Sequence, residues 1–486
     1  MRWLDVAIVR LGIGLSIAAV AFVACVRDPV TGKRELILVS EAEEIAMGQS
    51  AAADVNVSMG LYPDESLGRY VQELGAKAAA QSERPQLPWQ FRVVDSPVVN
   101  AFALPGGYIY LTRGILAHLS SEAALMGVVG HEIGHVTARH HVEQMSKQQL
   151  AGLGVGLGGI FFPEVRPFGD VLGGGLGLLF LKFGRDAERE SDRLGVRYSL
   201  ALGYDPTDMA RFFAVLGRLS GSERRLPAWA STHPDPADRE RTILRLVDEQ
   251  ALGRADLALG EHDYLERIDG LIHGENPREG FMRGRRFIHP DLAFRLDYPP
   301  DWRVQNTQTL VYAAPADGGA AIQLTATSVA SGTSPEAHAR AFFRQNRLEY
   351  GTGERLRIGP FRAYRAPFRA RTSSTTIYGQ AGFILDGELV YAIIGLTRAN
   401  AITRYRPVFD DVVESFDRLR DARDLAVAPT RIRLFDVPEN MTLERALRAA
   451  RMSADAFEEL SLLNNRALGE TLTSGQTIKI LETPDR

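Results

Sequence analysis

The residues best equipped for chemistry are Gly130-His131-Glu132-Ile133-Gly134-His135. On a helix, positions four apart share a face, so His131 and His135 direct two imidazoles at one point. Two neutral imidazoles at that spacing suit a tetrahedral zinc ion, and Glu132 beside them can act as general base on a water at the metal. Further along, Arg185-Asp186-Ala187-Glu188-Arg189-Glu190-Ser191-Asp192 places Glu188 and Asp192 four apart on one helical face. One carboxylate can ligate zinc, and the other can accept a hydrogen bond from a ligand histidine and fix its tautomer.

An E-x-x-x-D after H-E-x-x-H is the pattern of zinc peptidases with a glutamate third ligand. The expected set is therefore one zinc ion on His131, His135 and Glu188, with Asp192 behind a histidine. His141 competes for the third place, because H-E-x-x-H-x-x-G-x-x-H is another ligand spacing. That arrangement needs glycine where this chain has Ala138, and nothing in Val136–Gln144 must break a helix. If the helix continues, His141 lies about 15 Å along the axis from His131 and points away from the metal.

These side chains need elements to carry them. Ser121–Gln149 has helical character, and Leu125, Val128, Val129, Ile133 and Val136 would bury it. Gly130 and Gly134 each weaken a helix by about 1 kcal/mol relative to alanine, so another backbone is expected to pack closely there. Ser40-Glu41-Ala42-Glu43 is a capping box that starts an earlier helix. Asn100-Ala101-Phe102 leads into Pro105-Gly106-Gly107 and a strand at Tyr108–Thr112. Either Asn100, Ala101 and Phe102 belong to an edge strand that pairs with substrate backbone, or the segment is a hairpin turn. Leu150–Lys182 is glycine-rich and apolar, either a pair of core helices or a lid. In Thr232-His233-Pro234, followed by Arg239, His233 is either a packed residue or an active-site one. In the second case it stabilises the oxyanion or serves as a switchable fourth ligand.

With 486 residues the chain is too long for one core. The 56 basic against 60 acidic residues give a net charge of −4, which offers nothing to nucleic acid. The single cysteine rules out an internal disulfide framework. Leu11 to Ala24 is uncharged and apolar, long enough for a signal-peptide core and short for a membrane span. Ala21-Phe22-Val23-Ala24-Cys25 resembles a bacterial lipobox, so residues 1–24 read as a signal peptide and Cys25 as the lipid-bearing residue. An uncleaved anchor is the alternative; both tie the rest of the chain to a membrane, outside the cytoplasm.

Asn100–Thr112, Gly130–His135, Glu188–Asp192, Gly203–Pro206 and Thr232–Pro234 together resemble the M48 family of zinc metallopeptidases, most closely its bacterial periplasmic, lipoprotein-like members. Ser191 stands where that family usually has alanine. The resemblance implies a mainly helical gluzincin-type metallopeptidase domain with a small β-sheet, over residues 25–268. It implies endopeptidase activity on proteins, often in envelope quality control, and supports His233 as an active-site residue.

Residues 269–286 read as a linker, with Gly270, Gly274, Pro277, Gly280 and Gly284. Alternating strands and two helices then suggest an α+β domain over 287–420, similar to small domains related to photosystem assembly proteins. Residues 430–483 read as strand, two helices and strand, a βααβ unit that resembles a LysM module. It would bind peptidoglycan-type glycan, or serve only protein contacts, since Glu439-Asn440-Met441-Thr442 departs from the usual turn. Because all proposed ligands precede the linker, the chain up to Arg286 is expected to fold by itself. The whole reads as a multidomain, membrane-anchored periplasmic zinc endopeptidase acting on protein or peptide substrates. Its rivals are an assembly chaperone with a latent peptidase site and, from the tail alone, a cell-wall hydrolase.

Overall fold

The computed structural model describes residues 25–150, 183–221, 229, 233, 235–250, 256–371 and 376–484. The expected signal peptide, nearly all of the glycine-rich stretch, and Thr232 and Pro234 lie outside the described residues. Among the described residues no helix is long and apolar enough to cross a membrane.

Cys25–Arg27 (β1) pairs antiparallel with Arg34–Leu36 (β2). Helix α1, Glu41–Ser58, begins with the expected capping box: Glu43 N donates to the Ser40 hydroxyl, and Ser40 N donates to the Glu43 carboxylate. Helix α2 spans Glu65–Ala79. Strands β3 (Gln90–Val94), β4 (Ala101–Leu104) and β5 (Tyr108–Thr112) form a three-stranded sheet. In it β5 is central, parallel to β3 and antiparallel to β4. Strand β4 is an edge strand and turns into β5 through Pro105-Gly106-Gly107, so the hairpin turn of Asn100–Thr112 is present. Gly106 has φ +77°, and a Cβ there would come within 2.7 Å of the Ile45 Cα on α1.

Arg113–His118 (α3) leads to the central helix α4, Glu122–Thr137, in which every residue from Ala123 onward is buried. A helix apolar on all sides needs neighbours on all sides. They are α2, β4, α6 (Arg185–Ala201), α7 (Thr207–Gly221) and α9 (Glu261–Ile268), with α8 (Pro236–Gln250) packed on α6 and α7. The expected close backbone approach is at α6. A Cβ on Gly130 would sit 3.0 Å from the Gly195 Cα, and one on Gly134 3.0 Å from the Ser191 Cα.

The expected continuation of this helix through Gln144 does not occur. Helix α4 ends at Thr137, Arg139 turns left-handed with φ +59°, and a new helix, α5 (His140–Leu150), begins. The cause is tertiary. Arg139 Nε donates to Glu44 Oε2 at 3.0 Å, and Arg139 Nη2 donates to the Val39 carbonyl at 2.9 Å. Arg84 Nη1 donates to Glu44 Oε1 at 2.9 Å and to the Val136 carbonyl at 3.0 Å, closing the last turn of α4. The placement of His141 drawn from an unbroken helix therefore fails.

The C-terminal part is mostly sheet. Residues 303–398 hold an antiparallel sheet of eight strands, and a four-stranded sheet joins Phe281–Arg283, Arg286–His289, Phe294–Asp297 and Asp417–Arg418. The expected linker thus already contains strand at 281–283. Helix α10 (Pro335–Gln345) covers one face of the large sheet through Ala339 and Phe343, and α11 (Ile402–Glu414) packs through Tyr405, Phe409 and Val413 into a separate core.

In the tail, Arg431–Asp436 pairs antiparallel with Thr477–Glu482 around two short helices, Leu443–Ala449 and Phe457–Leu463. This unit is not separate from the helical half. Gly270 N donates to the Ile432 carbonyl at 2.8 Å, and Ile432 N returns a bond to the Leu271 carbonyl at 2.9 Å. Ile432, Leu447, Leu460 and Ile478 share one core with Leu116, Phe212 and Leu265. Lys479, 1% exposed, gives its Nζ to the carbonyls of Ala117 (2.9 Å) and Leu119 (2.7 Å), at the end of α3.

Candidate metal centre

Helix α4 presents His131 and His135, α6 presents Glu188 and Asp192, and His233 lies just before α8. One donor atom from each of His131, His135, Glu188 and His233 falls within 4.8 Å of all the others. His131 Nε2 is 3.0 Å from His135 Nε2 and 3.3 Å from His233 Nδ1. Glu188 lies 3.6 Å from both Nε2 atoms and 3.0 Å from His233 Nδ1. All four side chains are buried.

The donor set fits a zinc ion. Burial, ahead of the positive Arg239, lowers the pKa of His131, and burial beside neighbouring histidines holds His135 well below the ordinary value. Both are therefore neutral at pH 7, the state that ligates. Burial penalises the Glu188 carboxylate, yet His233 and Arg239 outweigh it and lower its pKa, so it is ionised. Burial also opposes charge on His233, but Glu188 and Glu132 raise its pKa overall. Glu132, 1% exposed, has an Oε1 without a hydrogen-bond partner, and that atom is 3.7 Å from His233 Nε2. A buried carboxylate oxygen left free beside such a cluster is costly unless it has a task.

Behind the donors stands a rigid backing. Asp192 Oδ1 accepts from His131 Nδ1 at 3.0 Å, and Asp192 Oδ2 accepts from Arg239 Nε at 3.0 Å. Arg239 Nη2 and His131 Nδ1 come within 2.8 Å because both donate to the same oxygen, Asp192 Oδ1. Burial works against the Asp192 charge, but Arg239 and His131 carry its pKa down to about 2. Arg239 Nη1 is 3.1 Å from Glu188 Oε2, so one guanidinium spans Glu188 and Asp192 of α6. It packs against the adjacent rings of Phe213 (4.2 Å) and Trp229 (4.5 Å). Trp229 also stacks on His233 at 4.7 Å, and its backbone N–H donates to the Val99 carbonyl just ahead of β4.

Sequence reasoning placed His131, Glu132, His135, Glu188, Asp192 and His233, and the fold brings all six together. It missed the roles of Arg239 and His140, and nothing in it singled out Trp229. Arg239 had one signal, a basic residue six positions after His233 in the chain's direct path into α8. His141 stays outside the four-residue group. Its ring centroid is 6.3 Å from that of His135, and its imidazole bonds the Ala103 carbonyl on β4. Burial and the nearby His140 lower its pKa to about 3. Asn100 pairs with Thr112 through its backbone, while its buried Oδ1 has no partner. Ala101 and Phe102 are buried in β4, and β4 packs against α4. Phe183 stacks on His135 at 4.1 Å and lies 6.0 Å from His233.

Residues 65–247 match the sequence model of Peptidase family M48, a stretch that includes the four donors, Glu132, Asp192 and Arg239. The chain is 31% identical over 206 residues to the Beta-barrel assembly-enhancing protease of Yersinia pestis, covering 40% of this chain and 42% of that protein. It is 35% identical over 177 residues to the Mitochondrial metalloendopeptidase OMA1 of Arabidopsis thaliana, covering 36% of this chain and 35% of that protein. The chain thus spans less than half the length of these relatives. Among solved structures, the cyanobacterial PsbP protein of Synechocystis aligns at TM-score 0.25 and 14% identity, over 27% of this chain and 91% of that one.

Proposed function

We propose that this chain, whose residues 65–247 match Peptidase family M48, is a zinc-dependent endopeptidase of that family that hydrolyses peptide bonds of envelope proteins. The observation that carries the proposal is the convergence of His131, His135, Glu188 and His233 beside the free oxygen of Glu132. His131, His135 and Glu188 would hold the metal, which supplies Lewis acidity to the scissile carbonyl. Glu132 takes the proton of the attacking water and returns it to the leaving amine. Asp192 and Arg239 hold His131 and Glu188 in place. Edge strand β4, entered from Asn100, offers backbone groups to an extended peptide along Ala101 and Phe102.

The proposal extends to place and partners. Cys25 would bear a lipid that fixes the protein to a periplasmic membrane surface, with quality control of proteins there as its role. The tail unit is read as LysM-like, with peptidoglycan as a candidate ligand. The test of the core claim compares wild type with Glu132→Gln on an unfolded protein substrate. The variant keeps its zinc and loses cleavage, because Glu132 meets the water and not the metal. Hydrolysis at the wild-type rate would exclude Glu132 as the base.

One observation favours a second reading, a peptidase held latent within an assembly factor. Phe183 stacks on His135 at 4.1 Å, and His233 sits in the group alongside the three proposed ligands, so both side chains crowd the donors. Phe183→Ala then raises basal cleavage several-fold; an unchanged rate removes the support for latency.

A further inference from the structure

Asp192 accounts for the far nitrogen of only one of the two motif histidines. His135 Nδ1 faces no carboxylate. It lies 3.0 Å from Nδ1 of His140, with the rings at 73°. His140 is 4% exposed, and its Nε2 reaches Glu190 Oε2 at 3.4 Å. The Ser191 hydroxyl stands 3.4 Å from the same His140 Nδ1. In an unbroken helix a residue five positions on would sit about 140° round from His135. The left-handed Arg139 is what turns His140 back onto it.

The hydrogen bonds allow one consistent assignment. His135 Nε2 points into the four-residue group, so a metal there takes that lone pair and leaves the proton on Nδ1. His140 Nδ1 must then accept, which places the His140 proton on Nε2, facing Glu190. The Glu190 carboxylate is suited to receive it; the bond from His140 lowers its pKa against partial burial.

We propose that His140 and Glu190 are positioning residues, a relay that fixes the tautomer and orientation of His135 as Asp192 does for His131. Each acid of the Glu188–Asp192 segment then has its own duty: Glu188 to the metal, Glu190 to His140, Asp192 to His131. This rests on the zinc reading above. A merely packed His140 would make the same contacts with its ring but would not need an acceptor at Nδ1.

The test measures the zinc dissociation constant of the full chain by competition with a chelating dye, for wild type, His140→Phe, His140→Gln and Glu190→Ala. Cobalt-substituted samples report ligand geometry through their visible spectrum. His140→Phe keeps the ring volume without an acceptor and weakens zinc by roughly 10–100-fold. His140→Gln can accept from His135 and donate to Glu190, and restores most of that affinity. Glu190→Ala, at the partly exposed end of the relay, gives a smaller loss in the same direction and serves as the second arm if His140→Phe fails to fold. Wild-type zinc affinity and an unchanged cobalt spectrum in both His140→Phe and Glu190→Ala overturn the relay alone. His140→Gln binding no better than His140→Phe also overturns it. A wild-type chain that binds no zinc overturns the metal reading and the relay with it.

Discussion

Among the described residues, the stretch 40–250 buries several carboxylate–guanidinium pairs beside its exposed ones, whereas the pairs within 281–420 stay at the surface. Glu44 with Arg84 and Arg139, and Asp192 with Arg239, are almost wholly buried. Arg286 with Asp297, Arg295 with Asp417, and Arg369 with Glu349 line the outside of strands and keep much of their exposure. Removing charges from water is costly, and buried pairs rarely repay that cost as net stability. What the interior pairs achieve here is geometry. Glu44 holds the left-handed turn that ends α4, and Asp192 with Arg239 sets the tilt of His131 and the place of Glu188. The surface pairs accompany a sheet whose register is already set by its ladder and its two apolar faces.

The largest effect lies within the helical half, where the buried acids hold the metal site. Glu188→Ala removes most bound zinc and all cleavage, whereas His141→Ala, outside the four-residue group, keeps most of its zinc. Metal analysis of the two purified variants decides it, and zinc lost with His141 and kept without Glu188 would reverse the assignment. Removing residues 430–486 comes next. It strips Ile432, Leu447, Leu460 and Ile478 from the helical half's own core, so the remainder melts well below the full chain in calorimetry. That reverses the expectation that the chain up to Arg286 folds by itself.

Glu44→Ala takes the shared buried carboxylate from two guanidinium groups, leaving Arg84 with Glu41 and the Val136 carbonyl and Arg139 with the Val39 carbonyl alone, and destabilises by about 3–5 kcal/mol in urea unfolding. A loss under about 1 kcal/mol would erase the contrast, since that is the worth of an exposed pair. Lys479 gives a pH signature. Burial pushes its ammonium down to about 7, and the neutral amine has two N–H groups for its two carbonyl partners. Above that value the folded state holds the neutral form while the unfolded chain, with a pKa near 10.4, still binds the proton. Stability from this group therefore rises with pH from about 7 toward 10, and Lys479→Met flattens that part of the profile in thermal melts. The smallest effect is Arg286→Ala, about 0–1 kcal/mol by the same unfolding assay.

Legibility in the sequence followed the range of the interaction. The pair His131 and His135, the spacing of Glu188 and Asp192, the close packing at Gly130 and Gly134, and the Ser40 capping box all follow from helical periodicity, which neighbouring residues carry. The break at Arg139 does not, because its cause, Glu44, lies 95 residues away and no local signal stops the helix. His140 was therefore not singled out. The strand Phe361–Arg371 was missed because it contains Pro367 amid four arginines. Proline is tolerated there because its position falls between two short flanking strands, Glu354–Ile358, which pairs with 361–365, and Glu349–Tyr350, which pairs with 368–369. The docking of the tail left no trace in local pattern either, since an apolar strand does not name the surface that will cover it.

The reach of the tail also bears on the order of events during synthesis. A chain that has emerged only as far as Arg420 already carries every proposed ligand, Glu132 and the whole of the large sheet. It still lacks Ile432, which pairs with Leu271, and Lys479, which closes the end of α3. The helical half is left with an open apolar face until Thr477–Glu482 arrives, so a chain still emerging holds its proposed metal ligands over an unfinished core. Arrival of the tail, rather than assembly of those ligands, would then time the closing of that core.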